Sequence, residues 1–200
     1  MQFDYTLVRT GNVFLKLDNR AKLLPLPPRF CLRYTDHSAT IDLRKSAGGA
    51  RMTTIRIYDA RQDKVVTVEK IERSEAEWEK MLTKAQHEIT TRKGTETPGT
   101  CLFEQIHEAG IFRCVRCGTD LFHSSTKFNS GTGWPSYYEP VSPLNIVEQP
   151  DTSLGLVRTE VLCARCSAHL GHVFDNGPPP TGSRYCINGL ALKFVAQGKL

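Results

Sequence analysis

The hydrophobic pattern is clearest in the middle of the chain. β-Branched and aromatic residues cluster in Thr54-Ile55-Arg56-Ile57-Tyr58 and again in Val65-Val66-Thr67-Val68. The polar stretch 59–64 between them reads as a turn, so two paired strands are predicted. Ser74-Glu75-Ala76-Glu77 follows, with Ser at an N-cap and Glu three residues later. Trp78, Met81, Leu82, Ala85 and Ile89 then recur at helical spacing. One helix over about 75–89 is predicted, and its role is to cover the core. From Thr95 onward, Gly and Pro punctuate short apolar runs. Strands are predicted around 111–114, 157–163, 184–188 and 190–195. The body of the chain is mainly β with many loops.

The first 51 residues are patterned poorly. A short strand is predicted at Asn12–Leu17; prolines cluster at Pro25, Pro27 and Pro28, and Ser46-Ala47-Gly48-Gly49 follows. This segment holds nine of the 26 Lys and Arg and four of the 21 Asp and Glu, leaving seventeen of each for the rest. The net charge of +5 therefore lies wholly in the first 51 residues. Residues 52–200 are neutral, which gives a nucleic-acid-binding role no electrostatic support. The expected organisation is a basic extension over 1–51, strands and a helix over 52–91, and the main domain over 92–200. Met52 is an alternative start.

No apolar run approaches the ~20 residues of a membrane span. Asp4, Arg9, Lys16 and Asp18 interrupt the first thirty residues, unlike a secretory signal. The expectation is a cytoplasmic monomer with no membrane or nucleic-acid partner. Seven cysteines then favour metal or redox chemistry over a disulfide framework.

Cys114-Val115-Arg116-Cys117 and Cys163-Ala164-Arg165-Cys166 share one spacing. Two intervening residues let both sulfurs of a knuckle reach one ion, and four thiolates in a tetrahedron suit structural Zn2+. Such a site would clamp distant parts of the fold together. A local rival uses Cys163, Cys166, His169 and His172, but two residues between Cys166 and His169 leave little chain for tetrahedral closure.

Arg184-Tyr185-Cys186-Ile187-Asn188 alternates. In a strand, Arg184, Cys186 and Asn188 share one face. A neighbouring cation favours a thiolate, so Cys186 is a candidate nucleophile; a buried structural thiol is the alternative. Asn188-Gly189 reads as either a tight turn or a bulge. His169-Leu170-Gly171-His172 puts two imidazoles in a loop beside the second knuckle, as pocket groups or as ordinary histidines. Ser130–Ser136 is a glycine-hinged loop carrying Trp134, which either packs in the core or walls a small pocket.

Taken together, residues 92–195 resemble the B-type methionine sulfoxide reductases. The resemblance runs through Gly94-Thr95-Glu96, both knuckles, Lys127-Phe128, Ser130–Ser136, Arg158-Thr159-Glu160, His169–Phe174, Gly177–Gly182 and Arg184–Asn188. It implies two antiparallel sheets stapled by zinc, with helix near the N-terminus. It implies reduction of the R epimer of methionine sulfoxide in oxidised proteins, with Cys186 as nucleophile. Trp134 would pack on the substrate methyl, His169, His172 and Asn188 would orient or protonate the sulfoxide oxygen, and Arg184 would favour the thiolate. Cys114, Cys117, Cys163 and Cys166 would hold zinc, and thioredoxin or an equivalent thiol would recycle the enzyme. The chain departs from the family pattern at Thr132, where many members carry a resolving cysteine, and at Asn176, where aspartate is frequent. Cys101 is the expected resolving residue, with Cys31 second. A zinc-stapled binding module and a peroxide sensor are the competing readings.

Overall fold

The computed structural model describes residues 6–10, 13–17, 43–45, 51–101, 103, 106 and 108–199. Cys31, the proline cluster and Ser46–Gly49 lie outside the described residues. The chain separates into two compact units, Met1–Ser38 and Ala39–Leu200. In the first, β1 (Thr6–Thr10) and β2 (Val13–Leu17) form an antiparallel hairpin.

Among the described residues, the second unit is built from three antiparallel sheets. β3 (Leu43–Lys45), β4 (Arg51–Asp59) and β5 (Lys64–Glu69) form one of them. The hairpin predicted around 54–68 is the β4–β5 pair, with Tyr58 opposite Val65. β4 begins at Arg51 and so runs across the expected boundary between 51 and 52.

Two helices stand where one was expected. α1 covers Glu75–Met81 and α2 covers Lys84–Arg92. Ser74 and Glu77 form the predicted capping box. A second box follows at once: Thr83 accepts from the Gln86 backbone, and the Gln86 side chain reaches back to Thr83 N–H. A residue that caps a new helix adopts extended backbone and cannot continue the old one. Trp78 of α1 and Ile89 of α2 are buried in the same core and Leu82 between them packs against it, while Met81 and Ala85, at the same helical spacing, are exposed.

β6 (Gly110–Cys114), β7 (Asp120–His123) and β14 (Leu192–Ala196) make a second sheet, ordered β14-β6-β7. The third contains β8 (Lys127–Phe128), β9 (Ser136–Tyr137), β10 (Ile146–Asp151), β11 (Arg158–Cys163), β12 (His169–Phe174) and β13 (Arg184–Ile187). Its order is β10-β11-β12-β13-β9-β8. The fold is mainly β, as expected. Between these two sheets lies an aromatic core. The Tyr137 ring of β9 stacks on Phe122 of β7 at 4.3 Å and meets Phe112 of β6 edge-on at 5.3 Å. All three side chains are fully buried; truncating one to Ala would cost ~3–5 kcal/mol.

His169–His172 is not the expected loop but the start of β12. Val161 pairs with Gly171 while Leu162 pairs with His169, so β12 carries one extra residue, Leu170. In a regular strand, residues three apart face opposite ways. The bulge turns His169 back toward His172 and brings the ring centroids to 5.6 Å. Asn188-Gly189 resolves into a short 3₁₀ turn over Gly189–Ala191, which delays the last strand to Leu192. Among the described residues, no helix is long and apolar enough to cross a membrane.

Candidate active site

Each knuckle is the turn of a β-hairpin, one between β6 and β7 and the other between β11 and β12. Gly118 N–H donates to Cys114 C=O, and Ser167 N–H donates to Cys163 C=O, both at 2.9 Å. Gly118 and Ser167 both take left-handed backbone (φ +76° and +56°), so the two turns are equivalent. The hairpins come from different sheets, and their four sulfurs lie within 4.8 Å of one another. Cys114 Sγ is 3.6 Å from Cys166 Sγ, and Cys117 Sγ is 3.5 Å from Cys163 Sγ. A tetrahedral site with ~2.3 Å metal–sulfur bonds has sulfur–sulfur edges of about 3.8 Å. The cluster therefore fits a metal ion. The neighbouring thiols and burial push the Cys114 thiol well up, and a cation at the centre would reverse that pressure.

The middle residues of the knuckles extend the clamp. Arg116 lies 3.9 Å over the Trp78 ring of α1 and donates to Thr90 C=O. Arg165 donates to Glu69 C=O at the end of β5, and Ile71 N–H donates to Arg165 C=O. The local four-residue rival does not form: His169 and His172 bond to carboxylates instead.

Cys186 opens onto a cavity of about 140 Å³. Drug-sized pockets occupy roughly 300–1,000 Å³, so this cavity is scaled for a single side chain. Its walls include Trp134, His172, Phe174 and Asn188. The β12–β13 register puts His172 directly opposite Cys186 on one face. Tyr185 and Ile187 point the other way and are buried, as the alternation predicts.

Burial pushes the Cys186 thiol above its ordinary value; the Thr132 hydroxyl and then the Arg184 guanidinium pull against that rise without cancelling it. Thr132 Oγ1 is 4.0 Å from Cys186 Sγ. It belongs to a hydroxyl chain through Ser130 to Ser136, each link 2.8 Å. Arg184 stacks on Phe174 at 4.4 Å and donates to Asn176 Oδ1 at 2.9 Å. Asn176 thus offers an acceptor to Arg184 but supplies no charge.

The two histidines are not equivalent. His172 lines the cavity, with Nε2 2.7 Å from Asp151 Oδ2. Asp151 also accepts from Arg158 at 2.8 Å, and its pKa lies well below the usual carboxylate range, held there first by Ser153 and then by His172. His169 is buried and is not among the lining residues. Its Nδ1 is 2.7 Å from Glu160 Oε1, and burial lowers its pKa. Asp151 and Glu160 had no role in the sequence reading. Arg158-Thr159-Glu160 was visible as a motif, but its contact with His169 depends on the bulge.

Asn188 and Trp134 are held by one residue, Glu96. Glu96 N–H donates to Asn188 Oδ1 at 3.1 Å, and Glu96 C=O accepts from Trp134 Nε1 at 3.0 Å. Cys101 lies against Gly189: a methyl there would fall 1.8 Å from Cys101 Sγ. Cys101 is not among the cavity-lining residues.

Residues 82–196 match the model of the SelR domain family. A relative from Pseudomonas savastanoi pv. phaseolicola, named peptide methionine sulfoxide reductase MsrB, is 48% identical over 65% of this chain and 99% of its own. One of the same name from Agrobacterium fabrum is 50% identical over 64% of this chain and 96% of its own. This chain belongs to the methionine-R-sulfoxide reductase B family. The knuckles, the Trp134 loop, β12 and β13 all lie within the matched span. Residues 1–81 lie outside the SelR span.

Proposed function

We propose that this protein reduces the R epimer of methionine sulfoxide in oxidised proteins, with Cys186 as the nucleophile. Its class, an oxidoreductase of the peptide-methionine (R)-S-oxide type, follows from the family. The observation that carries the residue assignment is that Cys186, His172, Asn188 and Trp134 line one and the same cavity.

The sulfoxide methyl packs against the Trp134 ring. Asn188 Nδ2 has two hydrogens and gives one to Leu170 C=O at 3.1 Å; the other remains for the sulfoxide oxygen. His172 donates Nε2–H to Asp151, which leaves Nδ1 to carry the proton that the oxygen receives. Proton donation makes the sulfur electrophilic. The Cys186 thiolate attacks it, the S=O oxygen passes to Cys186, and methionine leaves as the thioether. Sulfoxide sulfur is reduced by two electrons while Cys186 is oxidised to a sulfenic acid. Fixing both methyl and oxygen around a chiral sulfur selects one epimer. His169 stands deeper than the sequence reading had it, and its part is to pack His172 rather than to touch substrate. Cys101 then attacks the sulfenic acid, releasing water and forming a disulfide that thioredoxin or an equivalent dithiol reduces. Because Cys101 sits against Gly189, this step requires its segment to move. Zn2+ held by Cys114, Cys117, Cys163 and Cys166 supplies structural support only.

The test uses reduced protein, separated R and S epimers of a blocked methionine sulfoxide, and no added reductant. About one equivalent of methionine from the R epimer alone is expected, and none from Cys186→Ser. Cys101→Ser should keep that one turnover and lose thioredoxin-driven cycling. No methionine from folded wild-type protein would overturn the proposal and favour the binding-module or sensor reading.

A further inference from the structure

Glu96 is not among the cavity-lining residues, yet two of its bonds hold cavity walls and two more hold the turn that follows Asn188. Its N–H orients Asn188, and its C=O holds the Trp134 indole. Its carboxylate reaches past both to the turn after Asn188: Oε1 accepts Gly189 N–H at 2.6 Å and Oε2 accepts Leu190 N–H at 2.9 Å. The side chain is nearly inaccessible to solvent. Both carboxylate oxygens therefore bond to backbone donors whose geometry allows little play, and bonds to a charged acceptor are roughly twice as strong as neutral ones.

The neighbouring chain is built around the same segment. Gly99 N–H donates to Gly133 C=O at 2.7 Å. Gly133 has φ +82°, and a methyl on it would come within 2.8 Å of Gly99 N. The segment 96–99 thus lies tightly along the loop that carries Trp134. On the other side, the N–H and carboxylate of Glu96 anchor it to the Asn188 turn.

We infer that Glu96 is a positioning residue, a clamp that fixes the apolar wall (Trp134) and the polar wall (Asn188) of the sulfoxide pocket relative to each other. The consequence is stereochemical. Discrimination between epimers needs the methyl and oxygen sites held at a set separation. Asn188 also needs its amide oriented: Oδ1 faces Glu96 N–H and Nδ2 faces Leu170 C=O, so only a donor is left for the substrate. If the carboxylate is lost, the turn at 188–190 and the strap at 96–99 come apart, and each wall moves on its own.

This inference rests on the proposed reductase activity. Glu96→Gln keeps the size but replaces one carboxylate oxygen by an NH2, which cannot accept from a backbone N–H. Displacement of a reacting geometry by ~1 Å can cost about 10²-fold. Glu96→Gln should lower kcat/KM for the R epimer ten- to a hundredfold, mainly through kcat. It should also shrink the preference for R over S and weaken the change in Trp fluorescence on substrate binding.

Asp120→Asn is the control for general loosening. Asp120 is equally buried but bonds Arg113 and Ala60 N–H, away from the cavity. It should lower the melting temperature with the epimer ratio unchanged. Should Glu96→Gln fail to fold, Glu96→Asp, which keeps both oxygens on a shorter arm, gives the same three readouts. Wild-type protein without activity would sink the reductase reading itself. Active wild type, with Glu96 variants that keep its kcat and epimer ratio, or that change no more than Asp120→Asn does, would overturn the clamp.

Discussion

Cys186 meets two opposed influences. Burial raises its thiol pKa, while the Thr132 hydroxyl and the Arg184 cation lower it, and burial wins. A raised thiol pKa means that the thiolate is the minor form at neutral pH and grows about tenfold per pH unit until the pKa is passed. Alkylation of Cys186, followed on its own peptide by mass spectrometry, should therefore accelerate with pH through and beyond the ordinary thiol range. Thr132→Val removes the largest single lowering contact, so its curve should move to higher pH. A Thr132→Val curve that superimposes on wild type would show that this hydroxyl does not support the thiolate. The alternation of Arg184, Cys186 and Asn188 was readable from sequence because period two is intrinsic to a strand. The carboxylate partners were not: Asp151 and Glu160 come from β10 and β11, and only pairing brings them to His172 and His169.

At the scale of elements, β12 and β13 carry His172 and Cys186 opposite each other, and their contact is close. A methyl on Gly171 would stand 2.1 Å from Cys186 C=O and 3.0 Å from Ile187 Cα. Gly171→Ala should push β13 away from β12. An overpacking cost of ~1–3 kcal/mol is expected in a urea titration, together with loss of the first turnover, since His172 and Cys186 would separate. Wild-type stability and turnover in this variant would mean that the strands yield freely. The break between α1 and α2 shows what periodicity misses. Apolar residues at helical spacing marked Trp78 and Ile89 as buried but also took in the exposed Met81 and Ala85, and said nothing about whether the axis is continuous. The signal for the break was present in Thr83 and Gln86, a second capping box inside an apparently unbroken pattern.

For the whole molecule, the four-cysteine cluster ties the β6–β7 hairpin to the β11–β12 hairpin. Arg116 and Arg165 pass the tie on to α1 and to β5. Metal binding in small thiolate sites contributes ~10–16 kcal/mol, as large as the ~5–15 kcal/mol net stability of a typical domain. Native protein should contain one zinc per chain by elemental analysis, and removal by a chelator should abolish cooperative unfolding. Folded protein without metal, and indifferent to chelation, would show that the cluster stands by itself as buried thiols.

Local chemistry was legible in the sequence. The capping box at Ser74, the β4–β5 hairpin, the two-residue spacing of the knuckles and the face shared by Cys186 and Asn188 each depend on residues a few positions apart, where bond geometry and pleat set the outcome. Tertiary structure decided whatever depends on pairing at long range. It chose four cysteines over the local cysteine–histidine set by bringing two hairpins together. It inserted Leu170 as a bulge, which set His169 behind and His172 in front. It carried Glu96 to the turn after Asn188, more than ninety residues away. Sequence spacing says nothing about such a contact, because its existence depends on strand register and on the packing of one sheet against the next.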